Sequence, residues 1–464
     1  MFFVDDRVYK VKKPLVTGFV DFSTEQARHR ACDREVELNR RLAPDVYLGV
    51  ATVLGPGGEP CEHLVVMRRL PDSARLSARV EAGADVTEEL RGIAAVVAGF
   101  HARSATSPEI AAHGEAAAVL GRWRANRNEM RRIPPTLVDH AAVERIDSLA
   151  ARYIAGRGPL FAARIAAGKV RDGHGDLLAD DIFWLEDGPR IIDCLEFDDH
   201  LRYADVMEDV AFLAMDLERL GAPQAAETFL AAYREATQDS PPPSLQHLYI
   251  AYRAQVRAKV AAIRAGQEPG RASDTDRLLG LAERHLRKAQ VRLVLVGGLP
   301  GVGKSVLAAE LGRRSGWTVV RTDEVRQELL GPSAPAGYGQ GRYAPTAIDE
   351  VYREVLGRAR RAVAMGQSII LDASWRQRGH REAAARLAEE TASDLVELRC
   401  VAPPDVAARR LRQRASGGGD ASDATPPIAE QLAADTDPWP EARVVDTSGS
   451  PGTTADELLR VLDH

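Results

Sequence analysis

A glycine-rich stretch at residues 298–305 has the residue types and spacing that bind the phosphates of a nucleotide. It reads Gly-Leu-Pro-Gly-Val-Gly-Lys-Ser, follows an apolar run and precedes a helical pattern, which is the context of a phosphate-binding P-loop. In such a loop Lys304 reaches the β- and γ-phosphates, and the Ser305 hydroxyl is a ligand of Mg²⁺. The residues predicted to bind the nucleotide are Gly298, Gly301, Val302, Gly303, Lys304 and Ser305. ATP and Mg²⁺ are therefore the predicted cofactors.

Two aspartates follow strand-like runs in the same region. Asp323 lies in Arg-Thr-Asp-Glu-Val-Arg, and Asp372 ends Ile-Ile-Leu-Asp. In sheets of parallel strands, ligands bind beyond the carboxyl ends of the strands. We therefore expect Asp323 to accept a proton from a substrate hydroxyl, and Asp372 to hold a Mg²⁺-bound water or contact the substrate. Each of them could instead cap the helix that follows it.

Four arginines lie on a predicted helix that leads into a glycine-rich segment, residues 415–427. Positions 410 and 414 share one face of that helix. Phosphoryl transfer commonly requires an arginine over the transferred group, where negative charge develops. We interpret the segment as a mobile lid and take Arg410 and Arg414 as candidate catalytic residues.

The segments GGLPGVGKS, TDEVR, ILDAS and APPDVAARRLRQR together resemble the small P-loop kinases of the gluconate kinase, shikimate kinase and zeta-toxin group. The resemblance covers the chain from about residue 291 to its end. It implies ATP-dependent phosphoryl transfer to a small hydroxylated substrate. Strand and helix patterns alternate through this region, which predicts an α/β doubly wound P-loop domain with a parallel sheet.

A second set of residues with phosphotransfer chemistry lies near the middle of the chain. His174-Gly175-Asp176-Leu177 is followed by Asp181, with the spacing of the kinase catalytic loop H-R-D-L-x-x-x-N. A hairpin pattern and Ile-Ile-Asp come next, ending at Asp193. The spacing predicts Asp176 as the catalytic base and Asp181 and Asp193 as Mg²⁺ ligands. The alternative is that His174 and Asp176 only hold a loop together.

The HGDL and IID segments resemble the aminoglycoside phosphotransferase and choline kinase group, which implies an α+β, protein-kinase-like fold for roughly residues 1–240. In such folds a strand lysine pairs with a helix glutamate. Of Lys10 and Lys12, and of Glu35 and Glu37, we favour the pair Lys12 and Glu37. Two departures stand out: Asp181 replaces the usual Asn, and we expect the lobe to lack the first strand and glycine-rich loop that would precede Val8.

Composition supports a two-domain cytoplasmic protein. The chain has 464 residues, 45% of them hydrophobic, with a net charge of −6, and its four cysteines form no CxxC pair. These values disfavour nucleic-acid or membrane partners, a disulfide framework and a zinc site. We predict a phosphotransferase-like domain at 1–285 and a P-loop domain at 286–464. This order resembles a family of two-domain bacterial proteins whose substrate is unsettled.

The leading hypothesis is an ATP- and Mg²⁺-dependent kinase with two potential sites, acting on small hydroxylated or amino-sugar-like metabolites. One alternative is an active P-loop kinase whose N-terminal domain binds nucleotide without catalysis, which Asp181 and the shortened lobe suggest. Another is a nucleic-acid 5′-end kinase, which the acidic charge balance disfavours. The sequence leaves the acceptors and the oligomeric state open.

Overall fold

The computed structural model describes residues 1–14, 21–268, 274–331, 341–417 and 431–462, without the side chains of Arg342 and residues 414–417. The chain forms two compact units. One comprises residues 1–148, 161–241 and 246–286, and the other comprises 149–160, 242–245 and 287–464. Most of the predicted lid, residues 418–427, lies outside the described residues.

The first unit begins with a four-stranded antiparallel sheet, in the order β1-β2-β4-β3. The strands are β1 (Phe2–Val4), β2 (Arg7–Val11), β3 (Tyr47–Leu54) and β4 (Pro60–Arg68). A turn at Asp5-Asp6 joins β1 to β2, so that Phe2 lies opposite Tyr9. Strand β2 then pairs with β4, which places Lys10 opposite Val65.

Helix α1 (Glu25–Asn39) covers this sheet. It begins where the Thr24 hydroxyl accepts a hydrogen bond from the Ala27 N–H, as expected of an N-cap. Its Cys32 and Val36 are buried with Val8, Val65 and other apolar residues of the sheet. This packing fixes which side of α1 turns toward the lysine strand β2.

The rest of the first 290 residues is mainly helical, with two short strand pairs. Strands β5 (Val170–Asp172) and β8 (Tyr203–Asp205) pair, as do β6 (Ile182–Leu185) and β7 (Gly188–Ile191). Helix α8 (Val206–Arg219) is buried along most of its length, which suits a central scaffold element. The other helices are α2 (Leu76–Glu81), α3 (Thr87–Arg103), α4 (Pro108–Ala112), α5 (Ala116–Met130), α6 (His140–Ala155), α7 (Gly158–Ala166), α9 (Pro223–Thr237), α10 (Pro243–Gln267) and α11 (Thr275–Ala289).

The second unit contains a five-stranded parallel sheet in the order β10-β11-β9-β12-β13. Its strands are β9 (Arg292–Gly297), β10 (Thr318–Arg321), β11 (Ile369–Asp372), β12 (Asp394–Val401) and β13 (Arg443–Asp446). The helices of this region are α12 (Lys304–Ser315), α13 (Thr322–Leu330), α14 (Pro345–Ala364), α15 (Arg378–Glu390), α16 (Pro404–Gly417) and α17 (Pro451–Leu462). Strand β9 is buried throughout and lies at the centre of the sheet, so the loop that follows it emerges over the middle of the domain.

Both predicted fold classes are confirmed. The first unit is α+β and kinase-like, and the second is an α/β P-loop domain with a parallel sheet. None of the described helices combines the length and apolar character that crossing a lipid bilayer requires.

Candidate functional site

The loop that carries Asp176 is held by a buried aspartate of helix α8. Asp209 accepts hydrogen bonds from the backbone N–H groups of His174 and Gly175, both at 2.8 Å, and from His101 Nε2 at 3.0 Å. Gly175 has a φ of +85°, which a side chain would strain. These contacts bring the pKa of Asp209 far below its usual range, although burial acts to raise it. The ionised carboxylate of Asp209 therefore holds this loop in place through these hydrogen bonds.

Three predicted aspartates, Asp176, Asp181 and Asp193, influence one another electrostatically. The pKa of Asp176 is raised to about 6, chiefly by burial and in part by the charge of Asp193. Burial also raises the pKa of Asp181 well above its usual value, with added repulsion from Asp193 and Asp176. Oxygen ligands that repel one another in this way suit a hard divalent cation such as Mg²⁺, which would relieve the repulsion. The structure therefore fits the predicted metal role of Asp181 and Asp193.

Lys10 in strand β2 and Lys12, just after that strand, share one buried glutamate. Glu35 is fully buried and lies 2.8 Å from Lys10 Nζ and 2.5 Å from Lys12 Nζ, although neither ammonium is aligned as a hydrogen-bond donor. Lys10 also donates to Asp193 Oδ1 at 2.5 Å, and Lys12 contacts Glu196. Burial acts to raise the pKa of Asp193, but Lys10 outweighs it and the pKa is lowered. Lys10 therefore links the helix glutamate to the predicted metal ligand.

The favoured pairing of Lys12 with Glu37 is wrong, because Lys12 pairs with Glu35 instead. Glu37 is exposed and pairs with Arg34 at 2.7 Å, on the solvent side of α1. Lys12 is one of two lysines on Glu35, and Lys10 is the one that also reaches Asp193. The physical reason is the rotation of α1: the face that packs on the sheet through Cys32 and Val36 carries Glu35 to the lysines.

We expect Glu35→Gln to raise the KM for ATP of the first site by roughly tenfold or more, since charge-assisted contacts are worth about 1.5–3 kcal/mol. Glu37→Gln is the matched control and should change KM by less than about twofold, because exposed pairs contribute little. Steady-state kinetics in a chain that also carries Lys304→Ala isolates the first site. Equal KM values for the two glutamine variants would contradict the assignment of Glu35.

The backbone around Asp193 is held by two residues that the sequence analysis did not identify. Asp193 has a φ of +65°, an uncommon conformation for a residue with a side chain. Its N–H donates to the hydroxyl of buried Tyr47 at 3.1 Å, and the next N–H, of Cys194, donates to Asn39 Oδ1 at 2.8 Å. These bonds orient the Asp193 carboxylate toward Lys10.

Two arginines of helix α10 affect the pKa of Asp176, the predicted base. Arg257 and Arg253 both act to lower the pKa of Asp176, against the larger effect of burial. Arg253 is buried and donates to the backbone oxygens of Glu208 and Gly175, so this face of α10 lies against the Asp176 loop. Arg257 follows one helical turn later on the same face. The surroundings of the base are thus partly cationic.

The P-loop takes the conformation that its glycines permit. Gly301 has a φ of +85°, and a side chain there would lie 2.7 Å from the Ala407 carbonyl oxygen. Gly303 is the left-handed N-cap of α12, and Lys304 and Ser305 form the first turn of that helix. The helix N-terminus therefore adds its positive end to the loop, an arrangement that binds phosphates.

Asp372 lies beside this loop at the end of strand β11. Burial raises the pKa of Asp372, while Lys304, Ser305 and Arg321 act to lower it. Its Oδ2 accepts from Arg321 Nε at 3.2 Å, whereas Oδ1 is buried without a hydrogen-bond partner among the described residues. A water molecule bound to Mg²⁺ could supply that missing donor. Ser305 and Asp372 therefore fit the predicted Mg²⁺ site.

Asp323 lies in the first turn of helix α13, where its carboxylate pairs with Arg326 at 2.5 Å. Arg326 in turn lies over the Tyr343 ring, 5.0 Å from its centroid. The Asp323 carboxylate is not the N-cap acceptor of α13, because Arg321 occupies the N-cap position without a side-chain bond. Its role as the base remains a prediction.

Arg410 is not placed over a transferring phosphoryl group. It donates to the backbone oxygens of Val302 at 3.2 Å and Thr447 at 2.8 Å, because α16 packs against the outer side of the P-loop. It lines a cavity of about 300 Å³ together with Gly301, Gly303, Val306, Leu307, Thr447, Pro451 and Thr454. The structure therefore corrects its role to bracing the loop beside a cavity of ligand size. The side chain of Arg414 lies outside the described residues.

Two family models match separate parts of this chain. Residues 4–244 match the model of the phosphotransferase enzyme family, and residues 293–437 match that of an AAA domain. Uncharacterised proteins of Mycobacterium tuberculosis (strain ATCC 25618 / H37Rv) and Mycobacterium bovis (strain ATCC BAA-935 / AF2122/97) are 45% identical over 449 residues. Each match covers 96% of this chain and 90% of the relative.

Partial likenesses to solved kinases were also found. An unliganded sugar kinase from Janibacter sp. HTCC2649 is 18% identical, with a TM-score of 0.29, and covers 38% of this chain and 95% of its own. An APS kinase of Mycobacterium tuberculosis, in complex with AMPPNP and APS, is 20% identical, with a TM-score of 0.30 and coverages of 38% and 99%.

The phosphotransferase match spans more than half of the chain, and the mycobacterial relatives match nearly all of it. The two alternatives, a non-catalytic nucleotide-binding first domain and a nucleic-acid 5′-end kinase, are not favoured by these matches. This chain belongs to the phosphotransferase enzyme family and is a kinase, with a P-loop kinase domain following the phosphotransferase domain.

Proposed function

We propose that this chain transfers the γ-phosphate of ATP, with Mg²⁺, to small hydroxylated metabolites at two sites, one in residues 1–285 and one in residues 286–464. The observation that supports the first site most strongly is the chain of contacts from buried Glu35 through Lys10 to Asp193. Kinases of this architecture hold the phosphates of ATP with such a lysine and its metal with such an aspartate. A cytoplasmic location remains a prediction.

At the first site the cationic and the anionic residues would bind different parts of MgATP. Lys10 and Lys12 would hold the phosphates, and Asp181 and Asp193 would hold Mg²⁺, which offsets the negative charge that develops on the transferred group. Asp176 would accept the proton of the acceptor hydroxyl as that oxygen attacks the γ-phosphorus. The carboxyl has a pKa of about 6, high enough to take a proton yet largely ionised at neutral pH.

At the second site the backbone of the P-loop and Lys304 would hold the phosphates, and Ser305 and Asp372 would support Mg²⁺. Asp323 would accept the proton of the acceptor hydroxyl, with Arg326 keeping its carboxylate in place. The cavity lined by Arg410 and Pro451 would take the adenine ring. A flat guanidinium and a proline suit the two faces of an aromatic base.

The acceptor of the first site is expected to be neutral or negatively charged rather than cationic. Arg253 donates to the Gly175 carbonyl oxygen, and Arg257, one turn later on α10, acts to lower the pKa of Asp176. Two acidic residues that follow Asp193 are already paired, because Glu196 contacts Lys12 and Asp199 pairs with Arg34 and Arg202. A cationic amino sugar would therefore meet like charge next to the base, whereas a sugar acid would meet an opposite charge.

An acceptor screen tests this proposal. We would use the full chain with Lys304→Ala and compare neutral polyols, sugar acids, sugar phosphates and amino sugars as acceptors of ³²P from ATP. Transfer to a neutral or anionic hydroxyl compound is expected, with Arg257→Met lowering kcat/KM for anionic acceptors by roughly tenfold, the value of one charge-assisted contact. A clear preference for amino sugars would contradict the acceptor class, and transfer to no hydroxyl compound would contradict the proposed function.

The rate at the first site should depend on pH through Asp176. Its pKa is raised to about 6, and a base must be unprotonated to work, so kcat/KM should be constant above about pH 7. Below pH 6 it should fall about tenfold per pH unit, because the protonated fraction grows. A pH profile of the Lys304→Ala chain measures this. A flat profile between pH 5 and 8 would contradict the role of Asp176.

A further inference from the structure

Three side chains with metal-binding atoms meet at a place that neither candidate site uses. Glu25 and His29 lie on helix α1, and His63 lies on strand β4. Each offers one ligand atom, and these atoms all lie within 4.8 Å of one another. No described residue of the proposed Mg²⁺ sites belongs to this group.

The fold holds the three residues together from two directions. Glu25 and His29 are four residues apart, so their side chains project from the same face of α1. His63 is 4% exposed and its Nε2 contacts the Glu25 carboxylate, while its Nδ1 lies 3.4 Å from the Thr52 hydroxyl. The His29 ring stacks on the His63 ring with centroids 3.8 Å apart. The buried His63 is therefore held in place, whereas the partly exposed His29 also lies 3.5 Å from Asp33.

Two imidazole nitrogens and one carboxylate oxygen are the donor set of three-ligand zinc sites, in which water completes the tetrahedron. Imidazole ligands favour Zn²⁺ and its neighbours in the transition series over Mg²⁺ and Ca²⁺. A metal-bound histidine is usually oriented by a hydrogen bond at its second ring nitrogen. The Thr52 hydroxyl provides such a contact at Nδ1 of His63. We propose that Glu25, His29 and His63 bind a zinc-class divalent transition-metal ion.

Such an ion would join helix α1 to the sheet. Glu25 lies ten residues before Glu35 on the same helix, a distance of about 15 Å along its axis. Strand β4 pairs with the lysine strand β2, with Leu64 opposite Val11. A metal bridge between α1 and β4 would thus stabilise the packing that presents Glu35 to Lys10 and Lys12.

The test is metal binding by the full chain after removal of metals with a chelator. Zn²⁺ is titrated calorimetrically in excess Mg²⁺, which occupies sites built from oxygen ligands alone. Co²⁺ serves as the spectroscopic probe, because imidazole ligation gives visible absorption bands. One Zn²⁺ per chain is expected, together with a rise in Tm that follows from binding to the folded state alone.

Two variants and one control decide the outcome. His63→Gln and His29→Gln should each weaken Zn²⁺ binding at least tenfold and remove the Co²⁺ bands. The side chain of His29 is 45% exposed, so His29→Gln keeps the proposal testable if His63→Gln fails to fold. His113→Gln is the control, because it removes a histidine from the pair His113 and His200, which has no place in this cluster. Absence of stoichiometric binding by the parent, or equal binding by the parent and His29→Gln, would overturn the proposal.

Discussion

Replacing Lys304 by alanine is expected to lower phosphoryl transfer at the P-loop site by roughly 10²–10³-fold or more, the usual effect of removing a group that stabilises the transition state. Lys304 stands in the first turn of α12, half-buried beside Asp372, and contributes to no apolar core. The substitution removes the positive charge that would contact the phosphates of ATP. It leaves the packing of the sheet unchanged. The measurement is ATP turnover in a chain that also carries Asp176→Asn, so that only the second site contributes.

The control for this prediction is Lys288→Ala. Lys288 is an exposed lysine near the end of α11 and lies in neither candidate site. It should retain the parent rate, and both variants should keep the parent Tm within about 2 °C, as surface substitutions usually do. Parent-like turnover by Lys304→Ala would show that the P-loop is not the site of transfer.

Replacing Asp176 by asparagine is expected to lower transfer at the first site by roughly 10²–10⁴-fold, the usual contribution of a positioned general base. Asparagine keeps the size of the side chain but cannot take the proton. MgATP affinity should change by less than about threefold, because the proposed metal ligands Asp181 and Asp193 and the two lysines remain in place. The effect should therefore fall on kcat, measured in the Lys304→Ala chain.

Asp187→Asn is the matched control for Asp176→Asn. Asp187 lies at the exposed turn between β6 and β7 and pairs only with the nearby Arg190 among the contacts described for it. It should keep the parent kcat. If Asp176→Asn raised the KM for ATP and left kcat unchanged, Asp176 would be a binding residue instead of the base.

The P-loop could be predicted because its chemistry is local. Eight consecutive residues carry the glycines, the lysine and the serine, and the apolar run before them is long enough to indicate a buried strand. The parallel sheet was likewise predicted, because strand and helix patterns alternate clearly there. Neither the P-loop nor the parallel sheet had to be inferred from contacts between distant parts of the chain.

The choice between Glu35 and Glu37 depended on the rotation of one helix. Each residue turns the helix by about 100°, so the two glutamates point in nearly opposite directions. Cys32 is about 60° from Glu35 but about 140° from Glu37 around the axis. Taking Cys32 and Val36 as the buried stripe would have selected Glu35, since both pack on the sheet.

The supporting residues could not be predicted because they come from distant parts of the chain. Asp209 binds the His174 loop 35 residues away, and Tyr47 binds the Asp193 backbone 146 residues away. Arg410 reaches a carbonyl of Thr447 only once α16 and the segment after β13 have packed beside the P-loop. No local pattern distinguishes these polar residues from others on the same helices and loops.

The central claim is that the chain holds two independent phosphoryl-transfer sites. The most direct test is the initial rate of ³²P transfer from ATP to a panel of hydroxylated compounds, for four full-length proteins: the parent, Asp176→Asn, Lys304→Ala and the double variant. Each single variant is expected to keep one set of phosphorylated products and lose the other, and the double variant is expected to make none. Loss of all products in one single variant, or transfer by the double variant at the parent rate, would contradict the central claim.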